Sequence, residues 1–292
     1  MFRGIITALT TPFTKSGELD INAWREFINW QISEEVDGLA VLGSTGEAPT
    51  ITMEERDVLV KSAIELAKNK LPTMIGCGSN STATAIKYTQ HAKECGAEAA
   101  LIVAPYYNKP TQEGLYQHYK AINDNVNLDI YIYNCPSRSV VNISDETIGR
   151  LSQLKNIKGI KDASGDIERP FSLKRFIEKD DFIQLTGDDP LAVAFNASGG
   201  KGCISVASNV APRLCGQIQQ ATFSGDYGSA QNFHQRLWPL YQALFCETNP
   251  VPAKYALSLL GKMDEQVRLP LVGLMPESKE RVKDALKASG VY

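Results

Sequence analysis

Histidine is scarce in this 292-residue chain, and cysteine is scattered. The three histidines, His91, His118 and His234, lie at no helical spacing from one another, so no histidine-rich metal site is expected. The six cysteines, at 77, 95, 135, 203, 215 and 246, make no C-x-x-C pair, and their irregular gaps suggest neither a zinc site nor a small disulfide scaffold. No apolar run approaches the roughly 18 residues that a membrane-spanning helix requires. An excess of one charge is missing too. Lys+Arg number 30 and Asp+Glu 33, a net charge of −3, which gives no reason to expect a nucleic-acid or membrane-surface partner. Nothing like Gly-x-Gly-x-x-Gly follows the first apolar run, which disfavours an open dinucleotide-binding sheet. The segment Met1 to Pro12 is too short and too rich in threonine for a signal peptide, and a cytoplasmic protein is expected.

What is present is a regular alternation. Hydrophobic residues make up 43% and charged residues 22%, a globular balance that can bury a large core. Short apolar runs occur near 4–9, 38–42, 73–77, 99–104, 129–133, 157–161, 182–186 and 201–206. Several show no in-out alternation, as expected of parallel strands covered on both faces. Helical spacing fills the connections. Thr52-x-x-Glu55 has the form of a capping box, and Val58, Ile64 and Leu66 are expected to form the apolar face beyond it. Ser144 precedes the apolar positions Ile148 and Leu151, and Asp189-Pro190 reads as an N-cap followed by proline at the first helical position. Eight β/α units over residues 1–225 predict a (β/α)8 TIM barrel of the α/β class. Residues 226–292 predict a C-terminal three-helix extension, with helices near 227–246, 251–261 and 277–289, packed on the barrel or used for subunit contact.

A TIM barrel carries its chemistry at the C-terminal ends of the strands. Lys161 closes the run Ile157-Lys-Gly-Ile-Lys161, where a side chain can point into the barrel mouth. Burial there lowers a lysine pKa, and a neutral amine can attack a ketone to form a Schiff base. The residues alone leave open a lysine whose stem packs while its head meets Asp162 or solvent. Lys158 is expected to face the helices or the lower barrel. Tyr133 and Tyr107 supply phenols at neighbouring strand ends, either as proton-transfer groups or as rim aromatics. Gly43-Ser-Thr-Gly-Glu47 offers two hydroxyls and backbone that an anion can approach, but Ser44-x-x-Glu47 also fits a helix cap. Because Thr52 and Glu55 already start that helix, the loop reads as functional. Arg138 can grip a carboxylate with its planar fork or lie on the surface. Asp188 and Asp189 are explained by capping and are assigned no metal. The glycines of 198–202 precede strand eight, at the wrong end of the barrel for a phosphate site.

Together these segments resemble the class I pyruvate aldolase family, on its dihydrodipicolinate synthase side, over essentially the whole chain. The motifs that carry the resemblance are Gly43-Ser-Thr-Gly-Glu47, Pro105-Tyr-Tyr-Asn-Lys-Pro110 with Gly114-Leu-Tyr-Gln-His118, Tyr133-Asn-x-Pro-x-Arg138, Gly159-Ile-Lys161 and Gly187-Asp-Asp189. The resemblance implies that Lys161 forms an imine with pyruvate. It implies a proton relay of Tyr133, Ser44 and Tyr107, the last reaching in from a neighbouring subunit. Thr45 would bind the pyruvate carboxylate and Arg138 that of L-aspartate-4-semialdehyde, while the backbone near Gly187 and Ile204 would line the pocket. The implied product is 4-hydroxy-tetrahydrodipicolinate, on the diaminopimelate route to lysine. No metal or organic cofactor is implied, and a homotetramer of two tight dimers is.

Two departures from the family's commonest pattern matter, one at Ser44 and one at Arg56 with Thr84. Many synthases carry threonine where this chain has Ser44, and serine is also usual in the N-acetylneuraminate lyases. Arg138, which those lyases lack, favours the synthase over a lyase or a 2-keto-3-deoxy sugar-acid aldolase. A non-catalytic barrel binding small acids is the remaining alternative, and it would not need every catalytic side-chain type. In lysine-inhibited synthases the inhibitor sits at a dimer interface whose pattern Asn80 and Tyr106 match. Arg56 and Thr84 stand where the sensitive bacterial enzymes hold histidine and glutamate. A cation gained and a carboxylate lost both disfavour an ammonium ligand, so weak or absent lysine inhibition is expected.

Overall fold

Eight short parallel strands alternate with helices and close on themselves, as the alternation of apolar runs requires. A computed structural model describes residues 2–292. The elements in order are β1 (Gly4–Ala8), α1 (Ile21–Ser33), β2 (Gly38–Val41), α2 (Met53–Ala67), β3 (Thr73–Gly76), α3 (Thr82–Cys95), β4 (Ala99–Val103), α4 (Gln112–Asn125), β5 (Asp129–Asn134), α5 (Pro136–Ser139), α6 (Asp145–Ser152), β6 (Ile157–Asp162), α7 (Arg169–Leu173), β7 (Ile183–Thr186), α8 (Ala192–Ala197), β8 (Gly202–Ser205), α9 (Pro212–Ser224), α10 (Tyr227–Ala243), α11 (Val251–Leu259) and α12 (Pro276–Ala288). The strands pair in sequence order, and β8 returns to β1 through Ile5↔Cys203 and Ile6↔Ile204. The fold is a (β/α)8 TIM barrel followed by a helical extension at α10–α12.

Two apolar layers explain why most strands are covered on both faces. Ile5, Val41, Ile75, Ile102, Ile132 and Ile160 belong to an outer cluster shared with the helices. Ile6, Ala40, Met74, Leu101, Tyr131, Leu185 and Ile204 fill the barrel. Phe2 meets Tyr131 edge to face at 5.4 Å within that inner cluster. Neither layer shows alternation in the sequence, because both faces bury apolar residues. The helices α10 and α11 contribute Leu237, Leu240, Val251 and Leu257 to the outer cluster, so one continuous core joins extension and barrel.

A register shift between Ile130 and Tyr131 makes Lys158 the extra residue of β6. Ile157 and Ile160 both face the outer layer as a result. Beyond the bulge, alternation turns Lys161 inward, beside Tyr133 on β5 and Leu185 on β7. Lys158 itself sits half-buried in the bulge.

The capping expectations hold for Thr52, whose box with Glu55 is complete, and for Ser144, which accepts from the Thr147 N–H. The face of α2 differs from the one read in the sequence. Ile64 and Leu66 do pack half-buried against the core, but Val58 stands 44% exposed, and the fully buried stripe is Arg56, Leu59, Val60, Ser62, Ala63 and Ala67. Two polar side chains hide that stripe. Arg56 donates to the Gly76 carbonyl, and the Ser62 hydroxyl accepts from Trp24 Nε1 while donating to Val58. Asp189 also departs from its expected place. Asp188 occupies the cap position of the short 3-10 turn Asp189–Leu191 without a side-chain cap bond. The Asp189 carboxylate turns inside instead, taking the Val206 and Ala207 N–H groups and the Ser205 hydroxyl. It thus caps the turn after β8 rather than its own.

Candidate active site

The C-terminal ends of β5, β6 and β7 set Tyr133, Lys161 and Leu185 side by side on the inner wall. Lys161 is 7% exposed, and its Nζ lies 4.2 Å from the centre of the Tyr133 ring. Burial pushes this amine down to about 8, and the Arg138 charge adds to the lowering against the opposing influence of Cys135, Cys203 and Asp189. Such an amine is partly neutral near physiological pH and able to act as a nucleophile. Burial pushes the Tyr133 phenol well above its ordinary value, with neighbouring Cys135 adding to it. Arg138 and the Ser44 side chain pull the other way. Tyr133 therefore keeps its proton at neutral pH and is available to donate it. Gly187 leaves the lysine its room: a Cβ there would stand 2.7 Å from Lys161 Cε and 2.9 Å from Ala163 Cβ. Ile204 closes the same inner wall from β8.

The loop after β2 is held from several sides. Leu42 and Glu47 both adopt left-handed backbone, with φ of 58° and 52°, which a non-glycine residue keeps only when its surroundings enforce it. Thr11 donates to the Gly46 carbonyl at 2.7 Å. The extension supplies the other anchors. Lys254 Nζ meets Glu47 Oε1 at 2.8 Å in a fully buried ion pair, and the Arg268 N–H donates to Glu47 Oε2 at 3.0 Å. Asn249 Nδ2 donates to Thr45 Oγ1 at 3.0 Å. Arg138, exposed on the short helix α5, donates from Nη2 to the Asn249 carbonyl at 3.3 Å. Behind Lys161, Asp162 accepts from Asn134 Nδ2 at 2.9 Å and faces Arg169 Nε at 3.6 Å. A nucleophilic amine, a protonated phenol, two hydroxyls and a guanidinium thus border one barrel mouth. That set can bind a small keto acid, form an imine and move protons around it.

A profile of the dihydrodipicolinate synthetase family matches residues 1–289. The chain is 52% identical over 289 residues to the 4-hydroxy-tetrahydrodipicolinate synthase of Methylobacterium radiotolerans, covering 99% of this chain and 96% of the relative. The chain belongs to the dihydrodipicolinate synthetase family. Among solved structures, the Thermotoga maritima dihydrodipicolinate synthase superposes with a TM-score of 0.97 at 42% identity, over 100% of both chains. The chloride-inhibited dihydrodipicolinate synthase of Acinetobacter baumannii, complexed with pyruvate, gives 0.97 at 40% identity, again over 100% of both.

Of the residues singled out in the sequence, this family member brings Lys161, Tyr133, Ser44, Thr45, Arg138, Gly187 and Ile204 to the mouth of one barrel. Tyr107 is not among them within a single chain. It stands 90% exposed with φ of 71°, turned out to solvent. Tyr106 is also exposed, and Asn80 is tied to the same loop by Asn108, which donates to its carbonyl. Arg56 is buried, with its guanidinium 4.5 Å from the Tyr88 ring centre, and the Thr84 N–H serves the Ser81 cap of α3. Asp57, His91 and Cys95 bring three ligand-type atoms within 4.8 Å of one another. They sit on α2 and α3, the outer helices, and Asp57 is already engaged by Lys61 and His91. Histidine spacing gives no sign of this trio, which holds a single histidine, with Cys95 four residues on and Asp57 from another helix. Glu47 and Asp189 stood in motifs singled out in the sequence but read as caps, while Asn249 and Lys254 carried no sign of their roles in building the site. Only the Asn249-Pro250 dipeptide carries a turn signal, and no signal says what the turn touches.

Proposed function

We propose that this chain condenses pyruvate with L-aspartate-4-semialdehyde through a Schiff base on Lys161, giving 4-hydroxy-tetrahydrodipicolinate on the diaminopimelate route to lysine. The observation that carries the reading is a buried lysine with its pKa lowered to about 8, stacked on a buried, protonated tyrosine at the barrel mouth. Lys161 Nζ attacks the pyruvate keto carbon, and loss of water leaves an iminium. The iminium draws electrons, so a proton leaves the methyl carbon and an enamine forms. That carbon attacks the semialdehyde carbonyl. The substrate's own amine then displaces Lys161 from the former keto carbon, closing the ring and freeing the enzyme. Tyr133 gives and takes the protons, relayed through Ser44, whose influence in drawing the phenol's pKa down supports this role. Thr45 holds the pyruvate carboxylate and Arg138 that of the semialdehyde, with Gly187 and Ile204 lining the pocket.

The relay needs Tyr107 from a second copy. Its full exposure and left-handed backbone support a role outside its own subunit, and we read the assembly as a homotetramer of two such dimers. We also read the enzyme as cytoplasmic, and residues 226–292 as an extension that completes the site rather than a separate functional unit. Lysine inhibition is weak or absent on this reading. The Arg56 cation is held by the Gly76 carbonyl and the Tyr88 ring, and with Thr84 in place of a carboxylate the residues at Arg56, Asn80, Thr84 and Tyr106 offer an ammonium ligand no anionic partner. Half-inhibition at sub-millimolar lysine would contradict that. The activity itself is tested by incubating the chain with both substrates and identifying the cyclic product. Cleavage of N-acetylneuraminate or a 2-keto-3-deoxy sugar acid without condensation would overturn the proposal.

A further inference from the structure

Asn249 lies in the turn between α10 and α11, outside every barrel strand, yet its side chain is buried against the loop of residues 43–47. Three facts define its position. Its Nδ2 donates to Thr45 Oγ1, its backbone carbonyl accepts from Arg138 Nη2, and its Oδ1 is buried without a partner. The polarity of the first bond has a chemical consequence. A hydroxyl has one proton and two lone pairs, whereas an ionised carboxylate only accepts. With a lone pair taken by the amide, Thr45 keeps its proton to give to a carboxylate. The opposite amide orientation would draw the Thr45 proton onto Asn249 and leave an N–H buried without an acceptor, which is rarer than an under-satisfied carbonyl.

We infer that Asn249 is a positioning residue that fixes the Thr45 hydroxyl as a donor toward the pyruvate carboxylate and steadies Arg138 beside it. The C-terminal extension thereby takes part in pyruvate recognition. This inference rests on the proposed pyruvate chemistry and deepens it.

The test measures the pyruvate concentration that half-saturates borohydride-trapped adduct on Lys161, a readout that involves no second substrate. Asn249→Asp is nearly isosteric but accepts instead of donating when ionised. It is expected to raise the half-saturating pyruvate by about tenfold or more at pH 8. The ratio of variant to wild type should shrink toward acid pH, where the protonated carboxyl can again donate to Thr45. That recovery should be absent in a Thr45→Val background, where relief of a buried charge alone would still show it. Asn249→Ala, made in wild-type and Thr45→Val backgrounds, supplies a second route if the aspartate variant fails to melt cooperatively. Its penalty should vanish once the Thr45 hydroxyl is gone. Unchanged half-saturation in both Asn249 variants, or a full additive penalty in Thr45→Val, overturns the inference while leaving the wild-type chemistry intact. A wild-type chain that traps no pyruvate overturns the proposed function instead.

Discussion

A lysine amine attacks a carbonyl only when it is neutral, and burial is what makes Lys161 neutral at a useful pH. Its folded pKa of about 8 lies below the ordinary value of 10.5, because the charged form has lost its water. The neutral fraction should climb from about one tenth at pH 7 to about nine tenths at pH 9. The rate of pyruvate imine formation is expected to follow that curve, with a midpoint near 8. A midpoint near 10, measured by borohydride quench across pH 6–11, would mean the amine is not desolvated. Gly187→Ala tests the space around the same side chain. The added methyl collides with Lys161 Cε, so turnover should fall about 10- to 100-fold while the melting transition persists. Unimpaired turnover in that variant would show that the lysine does not need its present path. Lys161 was legible in the sequence because it ends an apolar run where a barrel strand opens to solvent. Asn249 and Lys254 were not, since their partners Thr45 and Glu47 lie 204 and 207 residues away.

At the scale of elements, apolar runs located every strand, capping residues located α2 and α6, and helical spacing located the three helices of the extension, while local polarity misled where burial is accompanied by hydrogen bonds. The stripe of α2 includes Arg56 and Ser62, which no hydrophobic pattern would select. The bulge in β6 escaped the sequence for a related reason: two apolar faces leave no alternation from which to read a shift. Helix α4 carries a further buried polar group. His118 shares a hydrogen bond between its Nδ1 and Thr82 Oγ1 at 2.9 Å, meets Tyr119 edge to face, and has its Nε2 buried without a partner. Burial holds its pKa down to about 4 from the ordinary 6.5, so the fold favours the neutral ring. The unfolded chain takes up a proton below 6.5 and the folded chain does not until about 4. This contribution to stability is therefore complete above pH 6.5 and lost as the pH falls from 6.5 to 4, amounting to about 3 kcal/mol at the acid end. Urea titrations at pH 7 and pH 4.5 should show a smaller acid loss in His118→Gln than in wild type. Equal losses would show that the histidine is not responsible.

For the whole molecule, the extension is fastened to the barrel through charge as well as apolar packing. Arg268 donates to Glu55, to the Thr50 carbonyl at 2.9 Å and to the Gly17 carbonyl at 2.9 Å, beside the buried Lys254–Glu47 pair. Burial lowers the Lys254 pKa even against its partner's charge, which reflects the desolvation cost of this arrangement. Removing one member leaves the other stranded, so Lys254→Met should cost about 3–5 kcal/mol in denaturant unfolding. The double variant with Glu47→Gln should recover part of that loss, and a double variant worse than the sum of the singles would contradict the pairing account. Assembly makes its own demand. If Tyr107 completes the relay across a subunit boundary, dilution to a monomer should abolish most turnover, whereas a fully active monomer would place the relay within one chain.

The central claim is that Lys161 forms the covalent bond to pyruvate, and borohydride trapping followed by intact-mass and peptide mapping addresses it most directly. One reduced pyruvate adduct, on the peptide containing Lys161 and absent from Lys161→Ala, is the predicted result. No adduct, or an adduct on another lysine, would contradict the account.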